Sequence, residues 1–329
     1  MALSVLGSGV YLPPARDVRE LVASHGGDLG KYAGWDRVCI ALEDDHPGAM
    51  AGRALRAALD DAGVEAADLD LVIFAGASRD YPPSWSVSTE AMRICGASSR
   101  CLGLDVTAGC AATLAGLELA RGWLALRGEG RAAVVVAERW SYTIDYSNPA
   151  NRGIWTHGDS AAALVLGPAG SGEGVGLYLG AEFASVAENN GHVLVPYGGT
   201  RAPSPPEGVD PYRRIVSDRA GKDIIESYKA AFRQAHEALG QRFCAEPTHL
   251  LCNQTTPNMV QTVAETVGMG ADQTIVTGHR TGHLGGADIV VGLRALIGDG
   301  DIRSPVLVAS STAYAFGLGL LAPNVLSDA

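Results

Sequence analysis

The stretches "LDLVIFAGAS", "AAVVVAER" and "AAALVLG" are apolar almost without interruption, and each is only long enough for a strand. Alternating residues would mark a strand wet on one face; an unbroken apolar run marks one covered on both. Such strands need helices above and below them, and the sequence supplies these in turn. "PGAMAGRALRAALDDAG" places apolar residues at helical spacing and closes on glycine, "SWSVSTEAMRICGA" reads as a second helix, and Cys110 opens a third. The later sequence repeats the rhythm: helix "DIIESYKAAFRQAHEALG", strand end "HLLCNQ", helix "NMVQTVAETVGM", then a loop into a helix at "GHRTGHLGGADIVVGLRALIGDG". Strand and helix alternate throughout, which defines an α/β protein with covered sheets. Each half closes on two strands with no helix between them, "AAVVVAER" with "AAALVLG" and "SPVLVASST" with "AFGLGLLAP", the pattern of a duplicated unit. The join is expected in the Gly-rich stretch near Pro168–Gly176, giving halves 1–170 and 171–329. Residues Glu188 to Arg219 are irregular and rich in Pro and Gly, and read as a long surface loop of the kind that often carries function.

Bulk composition narrows the function classes. The chain has 329 residues with a net charge of −11, so it carries no footprint for a phosphate backbone and nucleic acid is not an expected partner. No basic leader with an apolar core opens it and no run is long enough to span a bilayer, so no membrane association and a cytoplasmic location are expected. Six cysteines lack any C-x-x-C pair, and in a reducing compartment they are expected to be thiols, mostly buried. His279 and His283 stand four apart, but glycines lie in that loop and no third ligand offers itself, so no metal is expected.

Position singles out Cys110. In "DVTAGCAATLAGLELA" it follows a strand and heads a helix, where unpaired N–H groups and the positive end of the helix dipole favour a thiolate. The small neighbours Ala108, Gly109, Ala111 and Ala112 leave the sulfur approachable. The rival reading is a small core residue packed between strand and helix. Two distant segments favour the nucleophile. "LLCNQTTPN" puts Asn253 just past a strand, and "TGHRTGHLGGAD" puts His279 and His283 before a helix. A thiolate, a proton-transfer group and an amide donor at strand ends make a set suited to acyl-thioester chemistry.

Six segments together resemble the β-ketoacyl-acyl-carrier-protein synthase III family of the thiolase superfamily over nearly the whole chain. They are "VLGSGVYLP", "DVTAGCAATLAGLELA", "ERWSYTIDYSN" with "THGDSAAALVLG", "LLCNQTTPNMVQTVAETVGM", "TGHRTGHLGGADIVVGLRAL" and "LVASSTAYAFGLGLLAP". The resemblance implies a thiolase-like duplicated αβαβα fold of five layers, a homodimer, and no tightly bound cofactor. Its substrates would be acyl-coenzyme A or acyl-carrier-protein thioesters. It implies Cys110 as the acylated nucleophile, and the backbone N–H groups of Cys110 and Thr312 as the oxyanion hole.

The departures are informative. Where the family has its catalytic histidine this chain has Asn253, and where it has its asparagine this chain has His283, an exchange that resembles the thiolases. The second, acid–base cysteine of the thiolases is not evident; Ser310, Ser311 and Thr312 stand there. In the family's coenzyme-A clamp, Trp35 comes late, Asn258 falls near an arginine position and Arg152 matches a third residue. Trp155 and His157 replace smaller or apolar family residues, as packing or as acyl-pocket walls. "SRDYPPSWS", with Tyr81 and Trp85, resembles the loop that one subunit lends to its partner's pocket. The reading drawn is Claisen-type carbon–carbon condensation through acyl-Cys110 in a specialised pathway. Transfer without decarboxylation to an oxygen, nitrogen or sulfur nucleophile is the alternative, and an inactive partner subunit of a condensing heterodimer is a third.

Overall fold

The structure, a computed structural model, describes residues 1–324 apart from 83, 171, 172, 211, 212, 214 and 217–221. Ten strands form one sheet. The first five are β1 (Leu3–Tyr11), β2 (Leu71–Ala75), β3 (Leu102–Val106), β4 (Ala132–Glu138) and β5 (Ser160–Pro168). The second five are β6 (Gly176–Ser185), β7 (His249–Cys252), β8 (Thr274–Ile275), β9 (Val306–Ser311) and β10 (Ala315–Ala322). Their order is β8-β7-β9-β10-β6-β1-β5-β4-β2-β3. Read outward from the centre, each set runs first, fifth, fourth, second, third. In each set the inner pairs are antiparallel and the outer pairs parallel. Both sets therefore share one topology, as duplication produces. They join where β1 meets β6 antiparallel, through Leu3↔Tyr178, Ser4↔Leu177 and Val5↔Gly176.

Six helices cover the sheet: α1 (Pro47–Ala62), α2 (Val87–Cys95), α3 (Ala112–Arg127), α4 (Lys222–Arg242), α5 (Pro257–Thr266) and α6 (Ala287–Ile297). Helix α1 packs on β1, β5, β4 and α2, and α4 packs on β6, β10 and α5. Helices α3 and α6 instead touch strands of both sets. That is the sandwich of helix, strand, helix, strand and helix layers implied by the resemblance. Local chemistry sets the boundaries. Pro47 opens α1, where its missing N–H costs nothing, and Gly63 and Gly128 end α1 and α3 in the left-handed conformation at φ 62° and 76°. Strand β4 is buried along its whole length, as its unbroken apolar run requires.

Two sequence expectations change in detail. Part of the loop read over 188–219 is ordered into a two-stranded ribbon, Val193–Leu194 against Ile215–Val216; its positions 211, 212, 214 and 217–219 lie outside the described residues. The loop before α6 begins with one helical turn, Gly278–Thr281. At the expected join β5 ends at Pro168 and β6 starts at Gly176; positions 171 and 172, like 325–329, lie outside the described residues.

Leu114, on α3 between the two strand sets, is fully buried and abuts Gly317 and Gly319 of β10. Leu114→Ala should destabilise the chain by about 2–5 kcal/mol, read as a lower midpoint in urea unfolding.

Candidate active site

Strand β3 ends at Val106, and a single turn, Gly109–Ala111, leads into α3. Gly109 sits at φ 53°, where only glycine is unstrained, and a Cβ there would meet Thr312 Cβ at 2.7 Å. This turn presents Cys110 partly exposed at the head of α3. From the other strand set, Gly282 at φ 71° turns the chain so that the His283 N–H donates to Thr156 O at 2.7 Å. The Gly158 N–H donates in return to His283 O at 2.8 Å. His283 is thereby fastened to the segment before β5, its ring fully buried beside Trp140 and His157, with centroids 5.3 and 4.8 Å away.

His283 Nε2 lies 3.3 Å from Cys110 Sγ. On its other side Nδ1 lies 2.6 Å from Asp288 Oδ2. Asp288 stands in the first turn of α6 and also accepts from the Leu284 N–H at 2.9 Å and the Gln254 N–H at 2.8 Å. Burial pulls the His283 pKa down, but the Asp288 carboxylate, and then the Cys110 sulfur, outweigh it and raise it to about 10. The three side chains form a linear thiol–imidazole–carboxylate chain.

Asn253 is held on three sides. Its Oδ1 accepts from the Ser311 N–H at 2.7 Å and from Ser310 Oγ at 3.0 Å, and its Nδ2 donates to Gly285 O at 2.7 Å. These partners settle which end of the amide is oxygen, and one amide N–H is left beyond the bond to Gly285. Cys110, His283, Asn253, His157 and Thr312 all line one cavity of about 740 Å³. Among the described residues no Asp, Glu, Lys or Arg lines it, so its polar groups are hydroxyls, amides, imidazoles and the thiol.

The structure thus brings Cys110, His283 and Asn253 together and corrects several other assignments. The Thr312 N–H donates to Ala315 O at 2.8 Å, closing the turn between β9 and β10, so it is engaged and is not the oxyanion donor expected of it. Trp155 is fully buried with Nε1 donating to Asp145 O at 3.2 Å; it packs beneath the site and does not line the cavity. Arg152 reaches Asp28 O at 3.2 Å and also lies off the cavity. Tyr81, on the loop that resembles one lent to a partner's pocket, is not among these corrections: it is 63% exposed and edge-on to Trp85. Trp35 is a core residue whose Nε1 donates to Gln254 O at 2.6 Å. His279 is exposed and turned away, so the histidine at Cys110 is His283. Sequence reasoning missed Asp288. Its signal was an acidic residue five positions after His283 in the first turn of a helix, where a carboxylate is favoured by the helix dipole whatever its role. Among the described residues no cluster of three or more His, Cys, Asp or Glu could hold a metal, and no helix is long and apolar enough to cross a membrane.

Comparison with known proteins agrees with this fold. Residues 104–182 match the family model of 3-oxoacyl-[acyl-carrier-protein (ACP)] synthase III, and residues 245–325 match the model of its C-terminal part. The chain is 27% identical over 324 residues to the β-ketoacyl-[acyl-carrier-protein] synthase III of Roseobacter denitrificans, covering 96% of this chain and 95% of that one. With the enzyme of that name from Symbiobacterium thermophilum it shares 27% identity over 287 residues, 86% and 83% of the two chains. The crystal structure of 3-oxoacyl-(acyl carrier protein) synthase III from Pseudomonas aeruginosa superposes with a TM-score of 0.83 at 21% identity, covering 98% of each chain. The priming β-ketosynthase of the R1128 polyketide pathway does so with a TM-score of 0.83 at 21% identity, covering 98% and 96%. Fold and site define a thiolase-type enzyme, a transferase of the acyltransferase class. Within that superfamily the matches to both family models and to the relatives above support a β-ketoacyl-acyl-carrier-protein synthase III-like condensing enzyme.

Gly109→Ala should strain the nucleophile turn against Thr312 and cost about 1–3 kcal/mol, measured by thermal unfolding. Because folding raises the His283 pKa, the paired imidazolium stabilises the fold fully below pH 6.5, and that contribution is lost as pH rises through about 10. Unfolding free energy measured against pH should therefore fall across that window, and Asp288→Asn should flatten the decline.

Proposed function

We propose that this chain is an acyltransferase that loads an acyl group onto Cys110 and delivers it to a hydroxyl, amine or thiol of a second substrate. The observation that carries this reading is the contact of 2.6 Å between His283 Nδ1 and Asp288. A carboxylate there holds a ring proton on Nδ1, so once the imidazolium has given up its Nε2 proton during loading, the neutral ring turns a lone pair on Nε2 toward acyl-Cys110. That is the form of a general base. Stabilising the enolate of a condensation needs N–H donors at one oxygen, which the neutral ring left after acyl loading does not supply.

The steps follow from proton position. The Cys110 thiolate attacks the thioester carbonyl, and the oxyanion faces the N–H groups at the head of α3. The imidazolium gives its Nε2 proton to the departing thiol, which leaves acyl-Cys110 and neutral His283. Loss of the thiolate charge removes one of the influences that raise the His283 pKa. The ring can then take a proton from the acceptor as its heteroatom attacks the acyl carbon, and collapse regenerates thiolate and imidazolium. Coenzyme A or a carrier protein would deliver the thioester, and the scheme needs no other cofactor. The exchange of His and Asn, together with Asp288, supports a specialised pathway rather than housekeeping synthesis.

Claisen-type condensation is the second reading. The names of the relatives favour it, and the remaining N–H of Asn253 could serve as one enolate donor. For a homodimer, support comes from β3, an edge strand with Leu102 and Leu104 partly exposed; Leu104→Glu should yield a monomer in analytical ultracentrifugation.

Cys110 loaded with an acyl group should be challenged with alcohols and amines and, separately, with a malonyl carrier. Ester or amide formation without release of carbon dioxide supports transfer; carbon dioxide release coupled to product overturns it. Cys110→Ala should abolish loading seen by intact mass, which also disposes of the inactive-subunit reading if the wild type loads. His283→Ala should abolish turnover, and Asp288→Asn should lower kcat by roughly 100-fold or more.

A further inference from the structure

Ser310, the last residue but one of β9, is fully buried, and the scheme above gives it no task. Its Oγ lies 2.6 Å from Cys110 O and 3.0 Å from Asn253 Oδ1. A serine hydroxyl has one proton, and both neighbours are acceptors. Asn253 cannot flip to become a donor toward Ser310. The Ser311 N–H requires an oxygen at 2.7 Å, and Gly285 O requires the amide nitrogen on the other side. The single Ser310 proton is therefore shared between the carbonyl of the nucleophile and the side chain of Asn253. The shorter contact is the one to Cys110.

The consequence lies in the backbone. Cys110 is flanked by Gly109 at φ 53°, and the short turn Gly109–Ala111 does not yet have the full ladder of α3. The peptide after Cys110 is thus anchored from outside the helix, by β9 of the other strand set. Thr312, two residues on, presses against Gly109 from the same strand end. With the Thr312 N–H engaged by Ala315 O, the N–H of Cys110 carries more of the oxyanion's charge than it would in a hole with two free donors.

We propose that Ser310 is a positioning residue: its bond to Cys110 O holds the Cys110–Ala111 peptide while Thr312 holds Gly109 on the other side, and together they fix the direction of the Cys110 N–H toward the thioester oxyanion. It touches no substrate and does not act on the thiolate itself. The inference rests on the acyl-Cys110 reading and adds a residue to it.

Two reactions of the same sulfur separate the clamp from a merely structural role. Acylation by an acetyl or octanoyl thioester of N-acetylcysteamine passes through an oxyanion, whereas alkylation by iodoacetamide does not. Ser310→Ala should slow the acylation step by roughly tenfold, less than the loss of an oxyanion donor outright because the serine acts through the backbone, with little change in the concentration at half-saturation. Iodoacetamide should alkylate Cys110 in Ser310→Ala as fast as in wild type across the pH range, which also certifies a folded site. Ser310→Thr, which keeps the hydroxyl, should recover most of the acylation rate. Wild-type acylation in Ser310→Ala overturns the inference alone. So does a parallel fall in alkylation, because the serine would then act on the thiolate or on the fold. A wild-type chain that alkylates but accepts no acyl group from either thioester overturns the acyl-Cys110 reading and this inference with it.

Discussion

The site depends on one buried carboxylate. Asp288 takes hydrogen bonds from Leu284, Gln254 and His283, which lie on the loop before α6 and just past the end of β7. A carboxylate with the side chain at 0% exposure is tolerable only with such partners, and at a helix N-terminus the dipole adds to them. Remove this group and three things loosen together: the loop that carries His283, the segment that carries Asn253, and the tautomer of the imidazole. The dependence also runs outward. Gln254, fixed in part by Asp288, accepts from the N–H groups of Thr277 and Gly278 and so shapes the turn that leads to His283.

Duplication explains why these parts can meet. The two strand sets share a topology, and each sends one helix, α3 or α6, into the layer between them. The head of α3 carries Cys110 and the head of α6 carries Asp288. Two equivalent helix N-termini thus flank the Cys110–His283 pair, one beside the thiol and the other holding the carboxylate behind the imidazole. The same symmetric frame supports an asymmetric division of chemical labour. The strand ends across the gap, at Ser310 and Asn253, tie the two sets together at the reacting sulfur.

Much of this was legible in the residues. Unbroken apolar runs of strand length could belong only to covered strands, and glycine-closed helices between them left little choice but an α/β frame. Cys110 at a helix head, with small neighbours, could be picked from six cysteines. The exchange of His and Asn was visible once six segments aligned with a family. What failed was part of the assignment of walls: His157 lines the cavity, and Trp155 and Arg152 do not. Trp155 and Arg152 looked like pocket or clamp residues, because a large aromatic or a cation near a motif offers the same letters whether it faces a ligand or a core. Trp155 went inward because its ring filled space beneath the site and its N–H found Asp145 O. Thr312 failed for a different reason: a backbone N–H is no better a donor than its turn leaves it, and this turn engages it with Ala315 O.

By itself the sequence determined the duplicated α/β architecture, the candidate nucleophile and the pair of residues that face it, since each follows from local periodicity, helix-end chemistry or motif order. Only the tertiary structure decided what stands behind His283, and so which role can be proposed for it. Its role rests on whichever group meets Nδ1, and Asp288, like any acid in the first turn of a helix, is favoured there whether or not it touches a histidine. The contact of 2.6 Å that distinguishes the two cases exists only after the loop at Gly282 has turned the ring toward the helix it precedes.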